Sequence, residues 1–217
     1  MTTVAQQQCY VIGVCGQSCS GKTTACKQIK STINKITKNA PGMVVVIHQD
    51  SYYKGGNKDT NYDIPDAVGF EEMYNDILAI KGRKEINSPR YDFKTHSRKP
   101  ETKKKGPALV IIIEGILIFS QEKIRELCNL KIFVMADSVN MFARRLKRDT
   151  TERGRTFDEV TKQYLRDVVP SSHIYVDPYM RYANVILVNN VENEFAGFDF
   201  LKDHIKVRVR KLLKINN

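Results

Sequence analysis

The clearest chemistry lies in one stretch, Gly16–Thr24, which reads GQSCSGKTT. It follows an apolar run, Tyr10–Cys15, and precedes Ile29, Ile33 and Ile36 at helical spacing. A Gly-x-x-x-x-Gly-Lys-Thr pattern between a strand and a helix is the context that makes the match meaningful. Gly16 and Gly21 let backbone N–H groups turn inward around phosphate oxygens, and the new helix adds its positive end. Gln17, Ser18, Cys19, Ser20 and Thr24 complete the loop. Lys22 supplies an ammonium for the β- and γ-phosphates, and the Thr23 hydroxyl is a ligand for Mg²⁺. The stretch implies a nucleoside-triphosphate site.

Three further groups of residues could act on that triphosphate. Asp50, in HQDSYY, follows an apolar run. It could take a proton from an attacking hydroxyl, help hold Mg²⁺, or simply cap a turn. Glu114 closes the run IIIEG, and a carboxylate there is costly to bury unless it is paired or faces a cation. A role in the Mg²⁺ shell accounts for it. The third group is basic: Arg144, Arg145 and Arg148, then Arg153, Gly154 and Arg155. Guanidinium groups fork onto phosphate oxygens, so this density suits a lid over a transferring phosphoryl group. The plainer reading is a solvated helix face, with Asp149, Glu152 and Asp158 pairing locally.

The elements that must position these residues are legible in outline. Five continuous, β-branched runs read as buried parallel strands: Tyr10–Cys15, Met43–His48, Leu109–Glu114, Lys131–Met135 and Asn184–Val188. Helical patterns lie between them. Phe70, Met73, Ile77 and Ile80 share a face ending at a capping Gly82; Val139, Phe142 and Leu146 mark another helix, and Phe198, Leu201 and Ile205 a last one. The expectation is an α/β fold, a doubly wound parallel sheet of about five strands in a single domain over residues 1–217. Ligands of such sheets gather at the carboxyl ends of the strands, where Asp50 and Glu114 fall. Residues 87–105 break the rhythm and read as a hairpin excursion, 144–157 as the lid, and 191–217 as a helical tail.

Composition sets limits. The 217 residues carry a net charge of +11, with 41% hydrophobic and 27% charged residues. That is a well-solvated domain with a real core and anionic partners. Five cysteines without a Cys-x-x-Cys pair, and an amino terminus MTTVAQQQCY without a leader pattern, point to reduced thiols and a cytoplasmic protein. The most apolar run, Ala108–Phe119, is interrupted by Glu114 and too short to span a bilayer, so no membrane partner is expected.

Taken together, GQSCSGKTT, QDSYY, YDFKTHSRK, IIIEGILIF, ARRLKRD, ERGRTF and VDPYMRYANVIL resemble, in this order, the motifs of uridine–cytidine kinases. The similarity runs from about Tyr10 to Val188 and implies the P-loop kinase fold. It also implies transfer of a phosphoryl group from Mg·ATP, with GTP left open as a second donor, to the 5′-hydroxyl of uridine or cytidine. In that resemblance Asp50 matches the general base, and Tyr53 and Asp63 match an aromatic of the nucleoside pocket and the acid that holds the ribose. Tyr91, Phe93 and His96 match the hairpin residues around the pyrimidine, and Arg145 and Gln163 further nucleoside positions. Arg148, Arg153 and Arg155 match lid arginines near the phosphates, with Arg155 also reaching the nucleoside; Thr23, Glu114 and Asp50 match the Mg²⁺ shell. The residues agree with it. Tyr91 and Phe93 lie at strand spacing and could form one aromatic wall, and a neutral His96 offers one donor and one acceptor, which suits uracil or cytosine.

Two positions depart from the family: Cys19 stands where glycine is usual, and Asn184 where an acid is common. The resemblance implies a homo-oligomer, often a tetramer. Within the kinase class the runner-up is a relative acting on another small hydroxyl acceptor, such as a sugar phosphate or pantothenate, and the aromatic hairpin argues against it. Readings from other classes have less support in the sequence. Asp66–Gly69 (DAVG) matches a GTPase element but follows no strand, and Asn57-Lys58-Asp59 does not continue into a guanine motif. The basic tail, Lys206–Lys214, is as apolar as it is charged, so packing is expected there rather than nucleic-acid binding.

Overall fold

A computed structural model describes residues 9–191 and 194–214; residues 1–8, read above for a leader, and residues 192–193 and 215–217 of the expected tail lie outside them. The apolar runs become parallel strands: β1 (Tyr10–Cys15), β2 (Val44–His48), β7 (Val110–Glu114), β8 (Leu130–Met135) and β9 (Val185–Val191). Between β2 and β7 the short strands β3 (Ile86–Ser88), β4 (Tyr91–Asp92), β5 (Ser97–Arg98) and β6 (Lys103–Lys105) form two nested antiparallel pairs, β3 with β6 and β4 with β5. This is the excursion at 87–105.

The main sheet has six strands, not about five. A short strand β10 (Glu194–Ala196) pairs antiparallel with β9, giving the order β10-β9-β8-β1-β7-β2. Three residues, EFA, are too few to show a period, so the sixth strand had no signature in the sequence. The β1–β7 register sets Val14 opposite Glu114, and β2–β7 sets His48 opposite Glu114. The ends of β1, β2 and β7 are thereby level, and the loops that leave them meet.

Helices cover both faces. On one, α1 (Lys22–Ile36) and α7 (Phe198–Leu213) bury Ile29, Ile33, Leu201, Ile205 and Val209 against Ile12, Val14, Ile132, Val134 and Leu187. Of the basic tail's apolar positions, Val209 is buried and Leu212 and Leu213 pack against the core, while Val207 is half-exposed. On the other, α2 (Phe70–Lys81) and α3 (Glu122–Leu127) pack Met73, Ile77, Ile80 and Ile124 over Val11, Ile111 and Ile113. Gly82 caps α2, its N–H reaching Leu78 O and Ile80 O, but the left-handed residue there is Arg83 at φ +65°, not the glycine. The arginine stretch lies on α4 (Ser138–Glu152) and the turn before α5 (Phe157–Gln163), from which a wide helical segment, Tyr164–Val168, leads into α6 (Val169–Tyr175).

The expected apolar marking of α4 needs correction. Val139 is 77% exposed, and the buried face carries Met141, Arg145 and Asp149. That helix turns charge inward because it lies against the site, not against oil. All five cysteines are free thiols. Among the described residues no helix is long and apolar enough to cross a membrane.

Candidate active site

The loop between β1 and α1 is held in shape by close contacts. Gly16 has φ +143°, and a Cβ there would stand 2.0 Å from Val134 O on the neighbouring strand. Gly21 has φ +106°, and its Cβ would meet Asn189 Nδ2, which donates to Ser20 O at 2.8 Å. Cys19 adopts φ +63°, so a side chain occupies a left-handed position that glycine takes without strain. Replacing Gly16 by Ala is expected to cost about 2–3 kcal/mol, because a backbone oxygen cannot retreat as a side chain can. Chemical denaturation of Gly16→Ala checks this.

Ser18, Cys19, Gly21, Lys22, Thr23 and Thr24 line a cavity of about 300 Å³. Gln17 and Ser20 do not face it. Gln17 Nε2 donates to Asp177 Oδ1 at 2.6 Å, and Ser20 is fully buried. Lys22 Nζ donates to Gln17 O at 2.8 Å, which keeps its ammonium over the loop.

Glu114 ends β7 beside this loop and is 8% exposed. Its Oε1 accepts from Thr23 Oγ1 at 3.1 Å and lies 2.6 Å from His48 Nδ1, while Oε2 is buried without a hydrogen-bond partner. Burial alone would raise this carboxyl, but His48, Lys22 and Thr23 outweigh it and hold the group below its ordinary value. An ionised carboxylate with an orphaned oxygen next to a threonine hydroxyl is a hard-oxygen donor set, and it fits a divalent cation such as Mg²⁺. His48 was not singled out from sequence, where it reads only as the end of an apolar run.

Asp50 lies on the 3₁₀ turn Gln49–Tyr52 that follows β2. Gln49, fully buried, anchors the turn by accepting from Leu117 N at 2.8 Å. Tyr52 Oη donates to Asp76 at 2.8 Å, and Arg98 of β5 donates to the carbonyls of Tyr53 (2.9 Å) and Tyr52 (3.1 Å). The hairpin is therefore tied to the turn that carries Asp50. The Asp50 carboxylate lines the cavity and makes no hydrogen bond or ion pair among the described residues.

Past Asp50 the cavity becomes aromatic. Tyr53, Tyr91 and Phe93 meet edge to face or tilted, at 5.3 Å between centroids for Tyr53–Tyr91 and for Tyr91–Phe93. The single wall expected of Tyr91 and Phe93 is thus a corner, since the two rings stand at 75° and Phe93 lies beyond the end of β4. Tyr62, which the sequence reading passed over, stacks on His96 at 5.5 Å and touches Tyr53. Burial, with Arg155 and Arg153, holds the His96 imidazole below its ordinary value, so it is neutral at pH 7 with one donor and one acceptor. Asp63 lines the same chamber, and burial pushes its carboxyl up against the opposing pull of Arg145.

The arginines close the remaining side. Asp149, fully buried, receives Arg148 Nε at 2.8 Å and Arg153 at 3.3 Å, with Arg145 at 3.6 Å and Arg155 at 3.7 Å. Arg145 also donates to Ser18 Oγ and to Gln163 Oε1, both at 3.2 Å, and Arg155 donates to the same Gln163 oxygen. Arg153 lies over the Phe93 ring at 4.0 Å. The solvated-face reading fails for Arg145 at least, which is 5% exposed. One carboxylate thus gathers four guanidiniums between the glycine loop and the aromatic chamber.

This arrangement sets a phosphate cradle, a free carboxylate and an aromatic chamber along one cleft. The chain matches the family model described as "Phosphoribulokinase / Uridine kinase family" over residues 11–196. The chain belongs to that family. It is 39% identical to uridine-cytidine kinase A of Dictyostelium discoideum over 93% of this chain and 40% of that protein. It is 37% identical to the uridine kinase of Leuconostoc citreum over 93% of this chain and 97% of that one. The chain spans less than half the length of the first curated relatives it matches. A solved structure described as a possible uridine kinase from Bacillus stearothermophilus superposes with a TM-score of 0.59 at 18% identity, covering 86% of this chain and 90% of that one, which shows the shared kinase fold.

Proposed function

We propose that the chain is an ATP-dependent nucleoside kinase that phosphorylates the 5′-hydroxyl of uridine and cytidine. The observation that carries it is that Asp50 shares one cavity with the glycine loop and with the rings of Tyr53, Tyr62, Tyr91, Phe93 and His96. A pyrimidine ring has a face to pack on those rings, and neutral His96 serves either base. The relatives, a uridine-cytidine kinase and a uridine kinase, support the same substrates.

In this reading Asp50 accepts the proton of the 5′-hydroxyl as the oxygen attacks the γ-phosphorus of ATP. Lys22, Arg148, Arg153 and Arg155 stabilise the charge on the transferring group, and Asp63, Arg145, Arg155 and Gln163 hold the nucleoside. Thr23, Glu114 and Asp50 would hold Mg²⁺, which when bound neutralises charge on the β- and γ-phosphates. The segment 144–157 acts as the lid, 87–105 as the nucleoside clamp, and 191–217 as a tail packed on a single domain. The protein works in the cytoplasm as a homo-oligomer on small molecules, without nucleic acid.

Calorimetric titration tests the chamber directly. Uridine and cytidine should bind without ATP, and Phe93→Ala should weaken both by about tenfold, as loss of a ring contact of 1–1.5 kcal/mol requires. Equal binding of ribose 5-phosphate would refute the base-recognition role. Asp63 gives a second expectation. A carboxyl raised by burial opposes folding where it must ionise, so its cost is absent at low pH and present once pH exceeds the folded value. Asp63→Asn should therefore make the protein harder to unfold in urea at pH 7 while raising KM for uridine by about tenfold or more.

A further inference from the structure

A second cavity of about 280 Å³ adjoins the first and shares Phe93, His96, Arg153, Arg155 and Gln163 with it, but none of the glycine loop. Six cationic side chains line it: Lys58, Lys94, Arg153, Arg155, Lys162 and Arg166. The lining includes two carboxylates, Asp59 and Glu159, and both are committed. Glu159 accepts from Thr156 N at 2.9 Å and Oγ1 at 3.2 Å in a capping box, and Asp59 faces Arg166 at 3.8 Å. Arg166 is paired with Asp167 at 2.7 Å, and Arg153 and Arg155 face Asp149 at 3.3 and 3.7 Å, whereas Lys58, Lys94 and Lys162 make no ion pair with a carboxylate among the described residues. Gly154, at φ +69°, leaves the mouth open, since a Cβ there would meet nothing within 4 Å. Converging cations around a concave space, with their local acids already engaged, suit a compact anion of high charge.

We propose that this second cavity binds a small polyanion, a condensed phosphate or the phosphate tail of a nucleotide, at a site separate from the glycine loop. Arg153 and Arg155 line both cavities, so the occupant draws on the guanidiniums that serve phosphoryl transfer and slows turnover. The inhibitory half rests on the kinase reading; the binding half does not.

The probe is inorganic tripolyphosphate, titrated calorimetrically into protein saturated with Mg·ADP, with Mg²⁺ in excess, so that the glycine loop is filled. The wild type should bind about one further equivalent. The double variant Lys58→Ala/Lys162→Ala, altered at two exposed residues outside the catalytic machinery, should bind it at least about tenfold more weakly with Mg·ADP affinity unchanged. The same titration with a nucleoside triphosphate, compared by the part of the binding that the double variant loses, assigns the natural source: tighter binding to the nucleotide tail, weaker to free condensed phosphate. In rate assays at saturating Mg·ATP, tripolyphosphate should inhibit the wild type and spare the double variant. Absence of binding once Mg·ADP is present, or equal affinity in the double variant, would overturn the proposal. Failure of Mg·ADP to bind at all would instead count against the kinase reading.

Discussion

Asp50→Asn should lower kcat by about 10²–10⁴-fold, the range expected for removal of a general base, with KM for uridine changed by only a few-fold. The split between the two constants follows from the site. Asp50 makes no structural bond among the described residues, its turn is fixed by Gln49, Tyr52 and Arg98, and the aromatic chamber does not depend on its charge. An amide of the same shape leaves all of that in place and removes the acceptor for the proton, together with the charge that Asp50 would bring to the Mg²⁺ shell, so the loss falls on kcat and on the affinity for Mg·ATP rather than on uridine. Near-normal kcat would remove Asp50 as base. A large rise in KM with kcat preserved would make it a binding group instead.

Asp149→Asn should be the most damaging change away from the substrates. The carboxylate is fully buried and stands among Arg145, Arg148, Arg153 and Arg155. Removing its charge leaves four guanidiniums to repel one another in a partly desolvated space, which costs about 3–5 kcal/mol when a buried pair is broken from one side. Catalysis should fall by about 10²-fold or more through displaced arginines, since a misplaced donor loses most of its worth. A pH series separates this from a general loss of packing. Burial would raise the Asp149 carboxyl, but Arg148, Arg153 and Arg145 outweigh it and hold the group low. A depressed carboxyl contributes stability that is full above its unfolded value, near 4, and is lost as pH falls through the folded value. The wild type should therefore lose stability in that acid window, and Asp149→Asn should lose less. An unfolding profile in which both lose equally would assign the damage to packing alone.

How much of this was legible depended on whether a feature is local. The glycine loop is local: its spacing, the strand before it and the helix after it lie in a run of a few dozen residues, and β1 and α1 begin and end close to where the pattern puts them. The continuous β-branched runs were equally plain, because strands covered on both faces have no polar side to disguise them. Tyr62, His48 and Asp149 are the opposite case. Tyr62 matters because His96 stacks on it from a hairpin more than thirty residues away, and His48 because the β2–β7 register sets it against Glu114. Asp149 reads as one acid in a helix rich in charge, and only the packing of α4 against the loop turns it into the centre of four arginines. The same packing explains why Val139, an apolar residue in a helical pattern, lies in solvent while Arg145 does not.

In the proposed reaction the cleft transfers a phosphoryl group to a pyrimidine nucleoside. This is tested most directly by incubating the protein with Mg·ATP and a panel of uridine, cytidine, adenosine, CMP, pantothenate and ribulose 5-phosphate, with Lys22→Ala as control. Uridine and cytidine should be the only acceptors phosphorylated, giving UMP and CMP with one ADP each, and neither should form in the control. Phosphorylation of pantothenate or ribulose 5-phosphate, with uridine and cytidine untouched, would contradict it.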